Sequence, residues 1–334
     1  MKRIISLLLA LALTLSLTAC TAPAEKADGG KLQIVTTLFP YYDFARAIAQ
    51  DRADVTLLLS PGREAHSFEP TPLDAVTISK ADVFLYNGGE GEYWVESMLD
   101  AAGEHIAVAS RMMDYVDALN EEYVEGMQGA DGHDHDHEHG SHDDHDHDHE
   151  DEHDSDEIEY DEHIWTSPKN AVVLCRAVCD AICRADAENA AFYRANCENY
   201  CAQLEDLDAR FAALCESAPR RLLIFADRFP MLYFCREYGL DYRAAFHGCS
   251  GDTEPSLATI KFLIDKVEDE NIPVVYTIDF GTKKVAAVVS ECTGAAIETL
   301  YSMQTVSRAD FDAGETYLTL MERNFEALRK GLNA

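Results

Sequence analysis

The feature that most constrains the fold of this chain is a regular alternation of apolar, strand-like segments with helix-like segments, which begins at Lys31. Strands separated by helices of about a dozen residues are typical of a parallel sheet with right-handed crossovers. The first series predicts strands at residues 33–37, 55–60, 83–86 and 106–109, with helices at 39–50 and 72–79.

A second series of the same kind follows a long helical stretch. The spacing of apolar residues predicts helices at residues 169–184 and from 186 to about 216, and Pro219 ends the second one, which is long enough to bridge two lobes. The second series predicts strands at 222–225, 242–246, 274–278 and 295–300, with helices at 230–237, 256–270, 283–292 and 314–332. We therefore predict an α/β fold of two lobes, each a mainly parallel sheet flanked by helices, joined by one long linker helix.

The predicted boundaries divide the 334 residues into five parts. They are a lipoprotein signal peptide at 1–20, a tether at 21–30, an N-terminal α/β lobe at 31–185, a linker helix at 186–217 and a C-terminal α/β lobe at 218–334. A chain of this length can form two domains of ordinary size, each with its own core.

The N-terminus has the pattern of an export signal. Lys2 and Arg3 precede an apolar run over residues 4–17, and small residues then lead to Cys20. The run is too short for a comfortable membrane span, and its end is similar to the site at which bacterial lipoprotein signals are cut and lipidated. We expect an extracytoplasmic protein, anchored to the bacterial cell membrane by lipid on Cys20.

A run of histidines and acidic residues, predicted to be a disordered loop at about 128–158, interrupts the first lobe. It contains nine of the 13 histidines and offers little apolar surface for a core. Imidazoles with interleaved carboxylates can bind Zn(II), Ni(II) or Cu(II), so we predict weak auxiliary metal sites, although a purely solubilising polyelectrolyte is the alternative. The histidines concerned are His133, His135, His137, His139, His142, His145, His147, His149 and His153.

The same loop explains much of the chain's net charge of −34. Residues 131–162 contain 17 acidic residues and neither lysine nor arginine, which is half of the imbalance. The remaining sequence is moderately acidic, and this favours cationic ligands and argues against nucleic acid as a partner.

The cysteines other than Cys20 are odd in number, so they cannot all pair within one chain. Several recur every four residues, which places them on one face of a helix, where neighbours are badly oriented for a disulfide. They are interpreted as small core residues, with a bridge between two helices, such as Cys175 to Cys197, as the alternative; their oxidation state is left open. The nine are Cys175, Cys179, Cys183, Cys197, Cys201, Cys215, Cys235, Cys249 and Cys292.

Two histidines outside the loop stand in positions typical of ligand sites. Ligands of open α/β sheets collect at the carboxyl ends of the strands. His66 lies in the proline-rich segment that follows the strand predicted at 55–60, and His163 directly precedes the helix start at Ser167 and Pro168.

These segments resemble the two histidine motifs in the first lobe of the zinc and manganese solute-binding proteins of ABC importers, the ZnuA-like family. The resemblance extends over nearly the whole chain, including residues 61–72, 161–168, 189–207, 238–240 and 317–328. It implies a rigid two-lobed protein, not an enzyme, that binds a metal between its lobes through His66 and His163. It also implies delivery of the metal to the permease and ATPase subunits of an ABC importer.

The chain departs from this family in the second lobe, where relatives often have a third histidine, or a glutamate, after the strand predicted to end at Phe225. Asp227 is the best substitute here, although it could instead cap a helix or pair with Arg228. The reserve candidates for the second lobe are His247, Cys249 and Glu254 after the next strand, Asp279 after a later one, and Gln304, which falls near the position of an acidic ligand in some relatives.

Two imidazoles with a carboxylate favour Zn(II) over Mn(II), because manganese sites usually contain more oxygen donors. One alternative is an exported zinc-dependent hydrolase, but the sequence has neither a His-Glu-x-x-His motif nor a nucleophile elbow. Another is a surface metal buffer or adhesin that uses the histidine-rich loop as its main site. The sequence thus predicts a monomeric, zinc-binding lipoprotein of an importer, with Mn(II) as the other possible ion.

Overall fold

The first sheet is formed by short segments, of which the two central strands have mostly buried side chains and the two edge strands are partly exposed. The computed structural model describes residues 30–63, 68–103, 106–127, 159–248 and 254–333, and within these ranges the sheet has four parallel strands. Its strands are β1 (Leu32–Thr36), β2 (Ala53–Leu57), β3 (Val83–Tyr86) and β4 (Val108–Arg111), in the order β2-β1-β3-β4. Its helices are α1 (Phe39–Ala49), α2 (Pro72–Ile78) and α3 (Trp94–Ala102).

Two long helices follow the first sheet. Helix α4 (Pro168–Ala185) starts with a proline, and the Ser167 hydroxyl accepts a hydrogen bond from the backbone N–H of Asn170, so its N-terminus is capped. Helix α5 (Ala190–Ser217) has 28 residues and is therefore about 42 Å long. It packs against α4 along its first half and continues toward the second sheet.

The second sheet repeats the order of the first. Among the described residues it contains the parallel strands β5 (Leu222–Phe229), β6 (Asp241–His247), β7 (Val274–Ile278) and β8 (Ala296–Leu300), in the order β6-β5-β7-β8. Its helices are α6 (Leu232–Tyr238), α7 (Leu257–Asp269), α8 (Lys284–Thr293) and α9 (Arg308–Ala313). The predicted fold of two parallel sheets flanked by helices, with one long helix between them, is confirmed.

The linker helix α5 is bound to both lobes. The Tyr200 hydroxyl donates to the Asp43 carboxylate of α1 at 2.6 Å, and the ring of Phe211 meets that of Phe234 in α6 edge-on at 4.9 Å between centroids. Residues Leu32–Ala334 form one compact unit; of the unit Met1–Lys31 only Gly30 and Lys31 are described. Among the described helices, none has the length and apolar character needed to span a membrane.

The closing helix α10 (Tyr317–Asn333) also contacts both lobes. The backbone N–H of Tyr317 donates to Asp43 at 2.9 Å, and its hydroxyl donates to the carbonyl of Trp165 at 2.7 Å. At the second lobe, the Asn324 side chain exchanges hydrogen bonds with the backbone of Tyr301 at 2.7 and 2.9 Å. The lobes are thus connected by two helices and not by the linker alone.

Strand β5 differs from its prediction. The sequence pattern ends the strand at Phe225, whereas the strand continues to Phe229. The register with β6 shifts between Phe225 and Arg228, and this irregularity lets the chain pair again with Phe246 and His247. The prediction was wrong because two polar residues in the irregular stretch interrupt the apolar pattern. Asp227 therefore lies within a strand and not in the loop after it.

Candidate metal centre

A buried histidine occupies the loop before α4. His163 is only 2% exposed, and its backbone N–H donates to Oδ1 of Asp161 at 2.8 Å. Nδ1 of the same residue lies 3.1 Å from the same carboxylate oxygen. A carboxylate that accepts the Nδ1 proton fixes the tautomer and orientation of the ring, so Nε2 is the nitrogen that can bind a metal.

The electrostatic environment of His163 favours its protonated form. Burial lowers the pKa of this imidazole, but the charge of Asp161 and its hydrogen bond raise it, as do Glu162 and Glu121, and the pKa is raised overall. A metal that binds His163 must displace a more tightly held proton than usual, and it enters a region of negative potential that attracts cations.

Residues from both lobes hold the segment that contains His163. The Tyr233 hydroxyl of α6 donates to the Asp161 carbonyl at 2.8 Å, and the Thr166 hydroxyl donates to the His163 carbonyl at 2.8 Å. The indole N–H of Trp165 donates to the Ser302 carbonyl beyond β8 at 2.7 Å. The histidine is therefore held in place by the fold around it.

His163 opens onto a cleft whose other walls belong to the second lobe. Gly248, at the end of β6, approaches the ring closely: a Cβ at this position would lie 3.1 Å from Cε1 of His163 and 2.9 Å from the Phe229 carbonyl. The cleft is lined by His163, Arg228, Pro230, Gly248, Ile278, Phe280, Ser302, Gln304 and Thr305.

A second cavity lies on the first-lobe side. Leu59 and Phe68 line it, and Phe68 directly follows the segment 64–67 that contains His66. Gln304 lines both cavities, since its backbone carbonyl accepts the N–H of Phe39 at 3.3 Å and so brings the second lobe against α1.

Two carboxylates line the same first-lobe cavity. Burial raises the pKa of Glu92 to about 7, against hydrogen bonds from Thr37 and Gly88 that favour its charged form. Burial also raises the pKa of Glu162, which accepts the N–H of Gly91 at 2.8 Å. This side of the cleft therefore contains Glu92, which is partly protonated near neutral pH, and beside it a second carboxyl group, Glu162, whose pKa is also raised.

Two candidate ligands of the second lobe accept hydrogen bonds from nearby backbone N–H groups. Asp227 accepts hydrogen bonds from the N–H of Arg228 at 2.9 Å and of Ile278 at 3.4 Å, and its carboxylate lies so close to Gly281 that a Cβ there would be 1.7 Å away. Asp279 accepts the N–H of Ser302 at 3.1 Å. Both side chains lie at the carboxyl edge of the second sheet, next to residues of the cleft wall.

His247 and Glu254 differ strongly in exposure. His247, the last residue of β6, places Nδ1 at 2.5 Å from Oε2 of Glu121, and its ring centroid is 5.2 Å from that of Tyr123. The Glu254 side chain is 80% exposed and lies 3.5 Å from the ammonium group of Lys284. The His247 side chain is 20% exposed, and this residue directly precedes Gly248, which lines the cleft, whereas Glu254 is a surface residue.

Some predicted residues lie outside the described part of the chain. They are Cys20, His66, Cys249 and the nine histidines of the loop, His133, His135, His137, His139, His142, His145, His147, His149 and His153. Two described residues near the cleft, Asp161 and Glu121, have contacts that were not predicted from the sequence. The Asp-x-His spacing before α4 could have indicated Asp161, but nothing near Glu121 in the sequence indicates its contact with His247.

Two parallel-sheet lobes around a cleft, one of which presents a buried histidine oriented by a carboxylate, define a metal-binding solute-binding protein. The profile of the ZnuA family, described as a zinc-uptake complex component A, periplasmic, matches residues 34–331. The chain belongs to the ZnuA family. This is a family of zinc-binding transport proteins rather than enzymes, whose members act with the permease and ATPase subunits of ABC importers.

Comparison with known proteins supports the same assignment. The chain is 32% identical to the high-affinity zinc uptake system protein ZnuA of Bacillus subtilis over 93% of this chain and 91% of that protein. It is 30% identical to the zinc-binding lipoprotein AdcA of Streptococcus pneumoniae over 99% of this chain, but it spans only 61% of that longer relative. The Zn(II)-bound crystal structure of the ZnuA-like domain of the latter superimposes with a TM-score of 0.71, at 26% identity, over 91% of this chain and all of that domain.

These findings confirm the predicted class of protein. The chain is an extracytoplasmic zinc-binding, solute-binding protein of ABC-type import, and Zn(II) is its ligand.

Proposed function

We propose that the chain captures Zn(II) between its lobes through His66, His163 and one donor of the second lobe, and delivers it to its importer. The observation that carries the proposal is the environment of His163: a buried imidazole, oriented by Asp161, at the edge of a cleft whose other walls come from the second lobe. Imidazole donors suit Zn(II) better than Mn(II).

Asp227 is our first choice for the second-lobe donor. Its carboxylate is at the carboxyl edge of the sheet beside Ile278, which lines the cleft, and a carboxylate neutralises part of the charge of the dication. The lower-ranked donors are Asp279, Gln304, His247 and Glu254. Gln304 is supported by its place between both cavities and His247 by its position next to Gly248.

A crystal structure of the zinc-loaded protein, with anomalous scattering measured at the zinc edge, tests this ligand set. We expect one strong peak within about 2.2 Å of an imidazole nitrogen of both His66 and His163. A peak that lies away from His163 would refute the proposal, and the donor from the second lobe would be visible in the same map.

The site also predicts a difference between two histidines of the first lobe. His66→Ala should weaken zinc binding by at least about 100-fold, since even partners of metal ligands contribute about 10- to 100-fold. His105→Ala is the matched control, because His105 lies outside both histidine motifs, and it should bind like the wild type in competition with a chelator. Equal losses in both variants would show that His66 has no special role.

We further propose that the protein is a monomer held at the membrane by lipid on Cys20, with the predicted division into signal, tether, lobes and linker. The support is the sequence at Leu17 to Cys20 and the word lipoprotein in the name of the relative AdcA. Diacylation supplies enough buried methylene groups for firm anchoring. The Cys20→Ala protein should therefore leave the membrane fraction, and a variant that still sediments with membranes would contradict the anchor.

A further inference from the structure

Helices α4 and α5 bring a group of buried cysteines together. They run antiparallel, as shown by the contacts of Cys201 with the Val172 carbonyl at 3.9 Å and of Cys183 with the Ala190 carbonyl at 3.8 Å. Cys175 and Cys179 lie one turn apart on α4, and Cys197 and Cys201 lie one turn apart on α5. We call these four residues the thiol cluster. Each of them is at most 5% exposed.

The sulfur atoms of the thiol cluster are close together. The Sγ atoms of Cys175, Cys197 and Cys201 all lie within 4.8 Å of one another, and those of Cys197 and Cys201 are 3.8 Å apart. Cys197 also interacts with Cys179 through a side-chain hydrogen bond. Cys197 is therefore the centre of the cluster, whereas Cys179 lies at its edge, because its Sγ is not within 4.8 Å of all three other sulfurs.

This spacing is that of a metal-thiolate site. With Zn–S bonds of about 2.3 Å, two ligands of a tetrahedral site are about 3.8 Å apart. A disulfide requires about 2.05 Å between sulfurs, and residues one turn apart on a helix are badly oriented to form one. The pair Cys197 and Cys201 thus has the separation of two ligands on one tetrahedral ion.

We propose that the thiol cluster forms a second metal site, separate from the cleft, which binds one thiophilic d10 cation such as Zn(II) and fixes α4 against α5. Cys175, Cys197 and Cys201 are already grouped for this ion, and Cys179 moves toward them to complete the coordination. On binding, the ion exchanges its waters for thiolates, and each coordinating thiol releases its proton to solvent. The ion of this site is structural, since no open position is left for cargo when four sulfurs coordinate it.

The surroundings reduce the cost of the negative charge that a tetrathiolate site carries. Arg176, which follows Cys175 on α4, interacts favourably with the charged forms of Cys197 and Cys201.

The experiment uses the full chain, purified under reducing and metal-free conditions and titrated with Co(II). Cobalt bound by sulfur has an intense thiolate-to-metal charge-transfer band, which cobalt bound by imidazole and carboxylate in the cleft or loop lacks. We expect the band to saturate at one equivalent, and excess Zn(II) to remove it. No sulfur-to-cobalt band in the wild-type protein would overturn the proposal, whatever the variants do.

Two variants on α5 provide a matched comparison. Cys197→Ser should abolish the band, whereas Cys215→Ser, which changes another buried cysteine of the same helix outside the thiol cluster, should leave it unchanged. Circular dichroism checks that both variants are folded. Loss of the band in both, or in neither, would contradict a site centred on Cys197.

Disulfide formation is tested on the same protein as it leaves the cell. Alkylation and mass spectrometry under non-reducing conditions should find all four cysteines as thiols, protected by zinc and labelled after its removal. A bridge between α4 and α5 within the thiol cluster would overturn the proposal. Thiols that are labelled equally with and without zinc would also overturn it, because they would be core residues only.

Discussion

The two walls of the cleft are prepared for a metal to different degrees. On the first lobe, His163 is buried and its ring is fixed by Asp161. On the second lobe, Asp227 and Asp279 accept hydrogen bonds from their own backbone neighbourhood, and His247 is paired with Glu121. In the proposed site, the first wall is thus preorganised for an ion, whereas the second would exchange existing contacts for metal bonds. We infer that the second lobe tunes both affinity and release.

The largest expected effect is that of replacing His163, the proposed ligand on the first wall. His163→Ala should weaken zinc binding by at least about 100-fold, more than any single change on the second wall, because no other imidazole among the described residues lines the cleft with it. Chelator competition measures the affinity. A loss smaller than that in Asp227→Ala would reverse the comparison between the walls.

The second prediction concerns the second wall. Asp227→Ala should weaken zinc binding by at least about tenfold, since the carboxylate is lost as a ligand and as a charge. His247→Ala is the matched comparison, and it should change the affinity by less than about threefold. The opposite order of the two losses would identify His247 as the donor and remove Asp227 from the site.

The third prediction separates orientation from coordination on the first wall. Asp161→Asn keeps an acceptor for the backbone N–H of His163 but removes the charge that raises the imidazole pKa. Zinc affinity at neutral pH should fall by about tenfold because the ring is held less firmly. The pH at which protons displace the metal should move downward, since a proton leaves a histidine of lower pKa more readily.

Affinity measured between pH 5 and 8 checks both statements about Asp161. In the wild type the raised pKa of His163 means that protons compete from a higher pH. A variant with lower affinity but an unchanged pH midpoint would show that Asp161 orients the ring without affecting its titration.

The fourth prediction uses the acidic cavity of the first wall. The pKa of Glu92 is about 7 in the folded protein, whereas an unperturbed glutamate has a pKa of about 4.5. The folded state therefore binds the proton of this carboxyl group more tightly than the unfolded state does. Folding stability therefore falls as the pH rises from about 4.5 to 7. Glu92→Gln has no carboxyl group to ionise inside the fold. Above pH 7 this variant should therefore be more stable than the wild type, by on the order of 1 to 3 kcal/mol.

Denaturant unfolding at pH 4 and pH 8 measures this difference. Near pH 4 the wild type and Glu92→Gln should be about equally stable, because the carboxyl group is then protonated in both states. A variant that is less stable at pH 8 would show that the charged carboxylate is needed by the fold.

The smallest expected effect is that of the histidine-rich loop on the tight site. Deleting residues 131–157 should leave one tight zinc per chain, with an affinity within about threefold of the wild type, and reduce the number of weakly bound ions. Calorimetric titration counts both classes. If the tight site disappears with the loop, the tight zinc is not bound by the walls of the cleft.

The strands were predictable from sequence where apolar runs are continuous. Val83–Tyr86 and Val274–Ile278 have the predicted bounds, because buried parallel strands contain apolar side chains on both faces. Helices α3 and α9 were not assigned, and α9 has only six residues and no buried ones, so it leaves no periodic apolar pattern.

The site was less predictable because its residues meet only in three dimensions. His163 could be singled out from its place before a capped helix, but its contact with Gly248 depends on how the two lobes pack. The repeat of Cys197 and Cys201 indicated one helix face, whereas the approach of Cys175 depends on the register between α4 and α5. Such registers are set by the packing of whole helices and cannot be derived from spacing along one of them.

The closing helix α10 determines when the first lobe can finish folding. The N–H of Tyr317 reaches an Asp43 carboxylate that is 274 positions earlier, and its hydroxyl reaches the carbonyl of Trp165. Contacts so distant in sequence form late and slow the folding of the whole chain. A chain that stops before Tyr317 would keep a buried acid at position 43 without this donor. Incomplete chains should therefore be preferred substrates for proteases, and only full-length molecules should have a finished first lobe.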